Sequence, residues 1–331
     1  MFLSRKNKNN EKKFFRILYT TDLHGSDIAY RKLISGAKAY SADTIIMGGD
    51  VSGKTMVPIV MNSRGSYSFE YLSKKYTDLD DSKLKELQLI MKNSGVYYKI
   101  FTREEYSSIQ NNPNEMSEIF DELVLERLNE WAKIAIENLE NLGIKIYWSG
   151  GNDDVGSILE KVKSNEYYVY TEEKVVKIND SNEMLSIGWS NPTPWNTPRE
   201  CSEDELRNKI EEQVRKINDL KLSIFNIHAP PYNSTLDDAP KFDTSTYPPK
   251  PIISGGQVIK IPVGSTAVRG IIEKYQPLLG LHGHIHEIRG GVEIGRTTCI
   301  NSGSEYESGI LDAAIINIKE DKILSYQMVS T

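Results

Sequence analysis

Five apolar segments of this 331-residue sequence each end in a short polar group that contains Asp, Asn or His. The segments have the length and the β-branched or aromatic content of buried strands. Ligands collect at the carboxyl ends of strands in α/β folds, so the pattern predicts an α/β protein with one polar site at a sheet edge. The five strand ends are Asp22-Leu23-His24, Gly49-Asp50, Gly151-Asn152-Asp153-Asp154, His228 and Gly283-His284-Ile285-His286.

The side chains at these strand ends are of metal-binding types. The chain has five histidines, and three of them lie within a stretch of five residues. Asp22 and His24 are two residues apart, as are His284 and His286, and residues at this spacing share one face of a strand. Carboxylate, amide and imidazole donors suit two divalent ions such as Mn, Fe, Zn, Ni or Co. Asp50 is the natural candidate to bridge them.

Each motif alone also has an ordinary structural explanation. Asp-x-His fits a helix-capping loop, Gly-Asp fits a turn, and His228 fits a buried imidazole bonded to a backbone carbonyl. The strand at 14–20, a helix and the strand at 44–47 predict a parallel crossover, which would bring Asp50 beside Asp22. Five such strand ends in one chain therefore favour a common site over five unrelated turns.

The segment from about 53 to 115 departs from this strand and helix alternation. Two apolar runs flank a turn at 62–65, and a charged helix follows, so the segment is predicted to be an inserted α+β cap. A long amphipathic helix is predicted over 116–142. Residues 232–264 are rich in Pro, Asp, Ser, Thr and Gly and are predicted to form a long connection.

Composition excludes several other classes of protein. A formal net charge of −6 argues against a general nucleic-acid or anionic-membrane surface, and no apolar run is long enough to span a bilayer. Residues 1–13 lack an apolar signal segment and are predicted to be a flexible terminus, so a cytoplasmic location is expected. Cys201 and Cys299 fit ordinary thiols in a reducing compartment, with a disulfide between them left open.

The ordered motifs resemble those of the calcineurin-like metallophosphoesterases, from about residue 14 to 320 apart from the insertion. The resemblance implies a four-layer α/β/β/α sandwich with an inserted α+β cap and two metals at one edge. One metal would be held by Asp22, His24, Asp50 and His286, and the other by Asp50, Asn152, His228 and His284. A metal-bridging water would then attack the phosphorus of a small phosphate ester, whose alcohol could be a nucleoside.

One position departs from the family pattern, in which a histidine follows the motif asparagine. Asp153 stands there, as in the Icc-related branch, and Asp154 matches the acidic residue that orients the missing histidine. The resemblance implies catalytic roles for Asp153 and Asp154, and substrate contacts from Asn152, Asp153 and His228. An ionised Asp153 would repel phosphate unless its pKa is raised or a cation faces it.

Three functions stay open on these grounds. Loss of a general acid slows hydrolysis least for a diester with a good leaving group, so a phosphodiesterase is favoured over a phosphomonoesterase. A catalytically weakened scaffold that binds a protein partner through the cap is an alternative. A nuclease is another alternative, although the composition lacks the excess of positive charge that a basic nucleic-acid groove requires.

Overall fold

The structure is a computed structural model that describes residues 14–246 and 248–331. The predicted flexible terminus at 1–13 lies outside the described residues. The strands, numbered β1 to β22 in chain order, are Phe15–Thr20, Thr44–Met47, Met56–Met61, Tyr67–Tyr71, Lys74–Leu79, Tyr97–Thr102, Lys145–Trp148, Tyr168–Tyr170, Lys174–Lys177, Glu183–Ile187, Ile224–Ile227, Asp238–Pro240, Phe242–Asp243, Lys250–Pro251, Ile253–Ser254, Gln257–Val258, Lys260–Pro262, Leu279–His282, Gly290–Ile294, Thr297–Asn301, Asp312–Lys319 and Lys322–Ser330. The α-helices, α1 to α7, are Asp27–Ala39, Asp81–Asn93, Arg103–Ile109, Pro113–Leu139, Gly156–Leu159, Glu203–Val214 and Thr266–Tyr275. Short 3₁₀ turns cover Glu140–Leu142, Leu220–Leu222 and Tyr306–Ser308.

Two six-stranded sheets form the centre of the molecule. Their strand orders are β22-β21-β1-β2-β7-β8 and β19-β20-β18-β11-β10-β9. In the first sheet β1, β2, β7 and β8 run parallel, as predicted for β1 and β2, and in the second sheet β10, β11, β18 and β20 do so. Antiparallel strands flank both parallel sets. The parallel strands deliver all five polar strand ends to loops at their carboxyl ends.

The apolar core of the sandwich consists of three clusters of buried residues, one under the helices of each outer face and one between the two sheets. Helices α1 and α4 pack on the outer face of the first sheet, where the rings of Tyr30 and Trp131 stack with centroids 4.2 Å apart. The two sheets pack on each other through residues such as Ile46 and Leu281. Helices α6 and α7 cover the second sheet through residues such as Ile271. This arrangement confirms the predicted four-layer α/β/β/α sandwich.

The long helix α4 shows how local sequence sets an element's ends. Its N-cap Asn112 accepts a hydrogen bond from the Glu115 amide, and Pro113 occupies the first turn, where a missing N–H costs nothing. The helix ends at Leu139, and a 3₁₀ turn leads to Gly143 in the left-handed conformation. The predicted helix at 116–142 is therefore present, with its start shifted to the proline and its last turn tightened.

Residues 53–115, which we call the cap, contain a sheet of their own. Its strand order is β5-β4-β3-β6, and α2 packs on it through a small core. The turn predicted at 62–65 joins β3 to β4 as an antiparallel hairpin. The core residues are Val57, Ile59, Phe69, Leu84, Leu87 and Met91. That this segment is an insertion into the larger domain remains a prediction.

Residues 232–264 differ from the predicted open connection. Six short strands, β12 to β17, pair antiparallel as three two-stranded ladders. Gly255 and Gly256 both have positive φ and close the turn between β15 and β16. Pro240, Pro251 and Pro262 lie in strands that pair on one side only, where a proline is tolerated if its nitrogen faces away from the partner strand. Pro248 and Pro249 lie outside the strands, just before β14.

Two further features bear on the composition argument. None of the helices in the described ranges is long and apolar enough to cross a membrane. Cys201 is half-buried and Cys299 is buried, and both are free thiols.

Candidate metal centre

The loops after β1 and β2 run side by side and fix the first predicted ligands. The amide of Asp22 donates to the Gly49 carbonyl at 2.9 Å, and the amide of His24 donates to the Asp50 carbonyl at 2.9 Å. Asp22, His24 and Asp50 all have positive φ, as does His284 in the loop after β18. Left-handed backbone at a residue other than glycine costs about 1–3 kcal/mol and clusters at functional sites. Four predicted ligands thus lie on strained loops held by the surrounding structure.

Asp22, His24 and His286 form the first group of ligand atoms. The Nε2 atoms of His24 and His286 are 3.1 Å apart. Asp22 Oδ1 lies 3.3 Å from His286 Nε2 and 3.9 Å from His24 Nε2. These ligand atoms lie within 4.8 Å of one another, as a single metal ion requires. Asp22 and His24 are buried, and His286 is 29% exposed, so the group opens to solvent on one side.

Asp50 lies between this group and a second one. Its Oδ2 is 3.6 Å from His24 Nε2 and 3.4 Å from His228 Nε2. The ligand atoms of Asp22, Asp50 and His228 also lie within 4.8 Å of one another. His228 Nδ1 faces the Gly48 carbonyl at 3.0 Å, which leaves the buried Nε2 without a hydrogen-bond partner and directed at the carboxylates. Asp50 therefore has the central position expected of a bridging ligand.

Asn152 and His284 complete the set of predicted ligands. Asn152 Oδ1 lies 2.6 Å from His284 Nδ1, and the Asn152 amide donates to Thr197 Oγ1 at 2.9 Å, which fixes the orientation of the carboxamide. The rings of His228 and His284 have centroids 5.5 Å apart, and the backbone amide of His284 donates to Asp22 Oδ2 at 3.1 Å. The structure thus brings all seven predicted ligands into one cluster.

The charges of the cluster oppose one another inside a buried volume. Burial raises the pKa of Asp22 and Asp50, but His228 acts against it together with other neighbours, which are His286 for Asp22 and His24 and Lys54 for Asp50. Their combined effect exceeds that of burial, so both pKa values lie well below the usual range. Burial lowers the pKa of His228, whereas Asp50 and Asp22 raise it to about 10. Burial and Lys54 lower the pKa of His24 to about 3. In this arrangement a proton on His228 supplies the positive charge that the carboxylates require, which is the role a bound cation would take over.

Asp153 is paired with a lysine that the sequence analysis did not identify. Lys54 Nζ lies 2.6 Å from Asp153 Oδ2, and the Asp153 amide donates to Asp50 Oδ1 at 3.0 Å. Burial and the Asp50 carboxylate raise the pKa of Asp153 to about 7, against the opposing effect of Lys54. Burial lowers the pKa of Lys54, but Asp50 and Asp153 raise it above its usual range, so the lysine stays charged. Asp153 therefore has both a raised pKa and a cation facing its carboxylate.

Asp154 is fully buried and binds the backbone of two loops. Its carboxylate accepts hydrogen bonds from the amides of Val51 at 3.1 Å, Ser52 at 2.9 Å and Gly151 at 2.8 Å. The Ser52 hydroxyl is a fourth donor. These contacts join the loop after β2 to the loop after β7 and leave no face of the carboxylate toward a substrate. The catalytic role of Asp154 stays a prediction, and these contacts favour a positioning role for it.

Other side chains support the cluster from outside. The Ser304 hydroxyl donates to the Asp22 carbonyl at 2.6 Å, and Arg127 Nη1 donates to the Gly25 carbonyl at 2.5 Å. The ring of Tyr306 lies over His24, with centroids 4.7 Å apart. His282, the first histidine of the C-terminal motif, faces away from the site, and its Nδ1 lies 2.8 Å from the Ile227 carbonyl. Sequence spacing gave no signal for Arg127 or Tyr306.

Three glycines let the cap approach the His24 loop. A Cβ atom on Gly95 would lie 2.0 Å from the His24 carbonyl oxygen, and one on Gly53 would lie 2.0 Å from the Gly95 carbonyl oxygen. A Cβ atom on Gly25 would meet the Gly53 amide nitrogen at 2.9 Å. The base of the cap is therefore packed backbone to backbone against a ligand-bearing loop.

Fold and site together define an α/β/β/α sandwich with a cluster of Asp, Asn and His ligands at the strand ends. No family model matches the sequence. The chain belongs to the family of the uncharacterized protein MJ1162 of Methanocaldococcus jannaschii, to which it is 33% identical over 170 residues, or 50% of this chain and 68% of that protein.

Solved structures resemble this chain at low sequence identity. One covers 95% of this chain and 98% of its own length, with 15% identity and a TM-score of 0.55, and it supports the sandwich fold. The protein TT1561 of Thermus thermophilus has 14% identity, coverage of 95% and 98%, and a TM-score of 0.46. A novel archaeal phosphodiesterase has 13% identity, coverage of 96% and 100%, and a TM-score of 0.37. The last two likenesses are too loose to add to the fold assignment.

Proposed function

We propose that the chain is a metal-dependent phosphoesterase that hydrolyses small phosphate esters, with diesters preferred to monoesters. The observation that carries the proposal is the convergence of ligand atoms from strand ends of both sheets, in three overlapping groups within 4.8 Å. Asp22, His24 and His286 would hold one ion, and Asn152, His228 and His284 the other. Asp50 would be shared between them.

The donor set fits divalent metal ions. Its oxygen and imidazole ligands suit Mn, Fe, Zn, Ni or Co. The buried His228 Nε2 has no hydrogen-bond partner and faces two carboxylates. A buried nitrogen of this kind needs a partner, and a metal ion bound between it and the carboxylates would supply one. Bound ions of this kind supply Lewis acidity and an activated water for attack on phosphorus. The chain's own residues orient the ligands and balance the charge around the phosphate.

The charge around Asp153 supports the preference for a diester. A phosphodiester carries one negative charge, whereas a monoester carries nearly two at neutral pH. Lys54 offsets only one carboxylate, because its ammonium pairs with Asp153 at 2.6 Å. A second charge on the phosphate would therefore meet more repulsion than the first. Asn152 lies beside His284 and His228 beside Asp50, and both would contact a phosphate bound at the proposed metal ions.

The proposal is tested by hydrolysis of bis(4-nitrophenyl) phosphate and 4-nitrophenyl phosphate. The protein is stripped of metal, resupplied with Mn²⁺ and compared with Asp50→Asn, which removes the shared charge. We expect metal-dependent diester turnover that exceeds monoester turnover and falls more than about a hundredfold in Asp50→Asn, beyond the loss typical of an outer ligand partner.

Two results would count against this function. Equal rates of hydrolysis for wild type and Asp50→Asn would show that the metal centre takes no part in the reaction. Two bound metal ions without turnover of either ester would favour a metal-binding scaffold that acts through a protein partner. A cytoplasmic location stays a prediction under either result.

A further inference from the structure

A cleft of about 560 Å³ lies between the cap and the candidate metal centre. His24 and Lys54 line its inner end, next to the metal ligands, and Tyr306 lines one wall. The opposite wall belongs to the cap and is largely apolar. The cap residues with apolar or aromatic side chains there are Met56, Val57, Pro58, Tyr71, Leu72 and Val96. One end of the cleft thus offers charge, and the other offers apolar surface.

Lys54 supplies the positive charge of this cleft. Among the described residues that line it, Lys54 is the single lysine or arginine. Its side chain is 43% exposed and makes one ion pair, with Asp153. An ammonium group has three N–H donors, so donors remain for an anion that enters from the cleft. The cation is therefore placed to bind a phosphate oxygen beside the metal ligands.

Leu72 is the least expected residue of the apolar wall. It is 82% exposed and has a φ of 50° in the tight turn between β4 and β5. A leucine in the left-handed region is unfavourable, and a turn position of this kind prefers Gly, Asn or Asp. Folding gains nothing from a strained and exposed leucine. Leu72 lines the cleft, where a bound ligand would cover its exposed side chain.

Two carboxylates limit which ligand fits. Glu70 and Glu307 also line the cleft, and neither neighbours a second cation among the described lining residues. A ligand with a further anionic group, such as a second phosphate, would meet these carboxylates without compensation. An uncharged apolar group would meet no electrostatic repulsion from these carboxylates and would bury the exposed side chain of Leu72.

We propose that this cleft binds the alcohol portion of the substrate ester, with Lys54 on a phosphate oxygen and Leu72 against an apolar or aromatic group. The substrate class is then an ester of a single phosphate group with an apolar or aromatic alcohol. This inference rests on the proposed function, because it assigns the substrate of the same site. Lys54 and Leu72 are its two specificity-determining residues.

The test measures binding rather than turnover. Methylphosphonate and 1-naphthylmethylphosphonate, each used as its monomethyl ester, carry one negative charge, as a phosphodiester does. Methoxide is a poor leaving group, so both hydrolyse slowly and calorimetric titration of the Mn²⁺-loaded protein compares their affinities directly. We expect the naphthyl compound to bind about tenfold or more tightly. Lys54→Met should weaken both compounds about tenfold or more, because it removes a charged donor. Metal stoichiometry should stay unchanged, and Lys54→Arg should restore part of the affinity.

The second variant separates the apolar contact from the charge. Leu72→Asn should weaken the naphthyl compound alone and leave methylphosphonate unchanged, since Asn suits the left-handed turn and adds no charge. Lys83→Met, on the exposed face of the cap helix α2, removes an ion pair with Glu86 and should change neither affinity. Equal affinities of wild type and Lys54→Met, or no phosphonate binding by wild type, would overturn the inference.

The same titrations separate this inference from the proposed function. If wild type hydrolyses a diester with metal, but the Lys54 and Leu72 variants bind both compounds as tightly as wild type does, the phosphoesterase proposal is retained and the proposed role of the cleft is rejected. Binding that depends on both residues in a protein without turnover would reject the enzyme and retain the site.

Discussion

The strand-end loops of the sandwich and the cap that lies against them are built on different principles. At the strand ends, buried charges, left-handed backbone at Asp22, His24 and Asp50, and many backbone hydrogen bonds fix each residue. In the cap, a six-residue apolar core holds one small sheet and a helix, and strand β5 is mostly exposed. Chemistry dictates the residues of the first region, and packing dictates the core residues of the second, whereas Lys54 and Leu72 of the cap lie outside that core and line the cleft.

This difference teaches where variation is tolerated. A substitution in the cap core costs the free energy of packing but leaves the ligand atoms untouched, whereas a substitution in the loops disturbs charges that cannot be left unpaired. Substrate contacts would then change through the cap, while the reaction stays with the loops. The two regions meet at Gly53 and Gly95, where their backbones touch.

The largest effect should come from Asp154→Ala in the loop region. The change leaves the buried amides of Val51, Ser52 and Gly151 without an acceptor, and each such group costs about 1–3 kcal/mol. We expect a loss of about 4 kcal/mol in the free energy of unfolding, together with weaker metal binding. Urea denaturation and metal titration measure both. The exposed Asp180→Ala serves as the control, and unchanged metal affinity in Asp154→Ala would contradict the positioning role.

Gly95→Ala tests the junction between the two regions. Its Cβ atom would lie 2.0 Å from the His24 carbonyl oxygen, at a φ of 80°. We expect a loss of about 3 kcal/mol and reduced metal affinity, because the His24 loop must move. Gly65→Ala is a matched control, since Gly65 has a φ of 79° and no atom within 4 Å of its added Cβ. That variant should lose only about 1 kcal/mol, from backbone strain. Equal losses in the two variants would show that the junction is not tight.

Leu87→Ala addresses the cap by itself. Leu87 is buried in the small core, and a leucine-to-alanine change in a core costs about 2–5 kcal/mol. We expect a loss near the lower end of that range, about 2 kcal/mol, with hydrogen exchange increased in the cap only and metal stoichiometry retained. Leu89→Ala on the same helix is the control, because Leu89 is 57% exposed. Loss of metal from Leu87→Ala would mean that the cap and the loops fold as one unit.

The same contrast explains how much could be predicted from the sequence. Asp22, His24 and Asp50 follow the neighbouring parallel strands β1 and β2, so their clustering follows from strand pairing. His228 follows β11 of the second sheet and reaches them through the packing of the two sheets. The four-layer fold follows from the resemblance that these motifs carry. The local sequence pattern was therefore sufficient to predict a metal-ligand residue wherever that residue lies just after a regular strand.

Contacts between distant loops could not be predicted in this way. Lys54 meets Asp153 only because the loops after β2 and β7 lie side by side, and nothing near Lys54 in the sequence marks it as part of the site. Asp154 shows that a motif position does not fix a role, since its place in the motif predicts catalysis while its hydrogen bonds favour a positioning role. The short ladders at 238–262 were missed because prolines hide strand periodicity.

The smallest effect at neutral pH concerns His282, which belongs to the C-terminal histidine motif by sequence but is buried in the packed region behind the ligands. Burial lowers its pKa to about 4, against backbone hydrogen bonds that raise it. A neutral native histidine means that the unfolded chain binds the extra proton, so stability is present above pH 6.5 and is lost as the pH falls toward 4. Between these values His282 should contribute a slope of up to about 1.4 kcal/mol per pH unit.

Metal-free His282→Gln should therefore show a shallower loss of stability in acid than metal-free wild type, while His24 and His284 contribute equally to both. Its metal stoichiometry should match that of wild type, whereas His284→Gln should lose affinity. An unchanged acid slope in His282→Gln, or loss of metal from it, would place His282 with the ligands rather than with the packing.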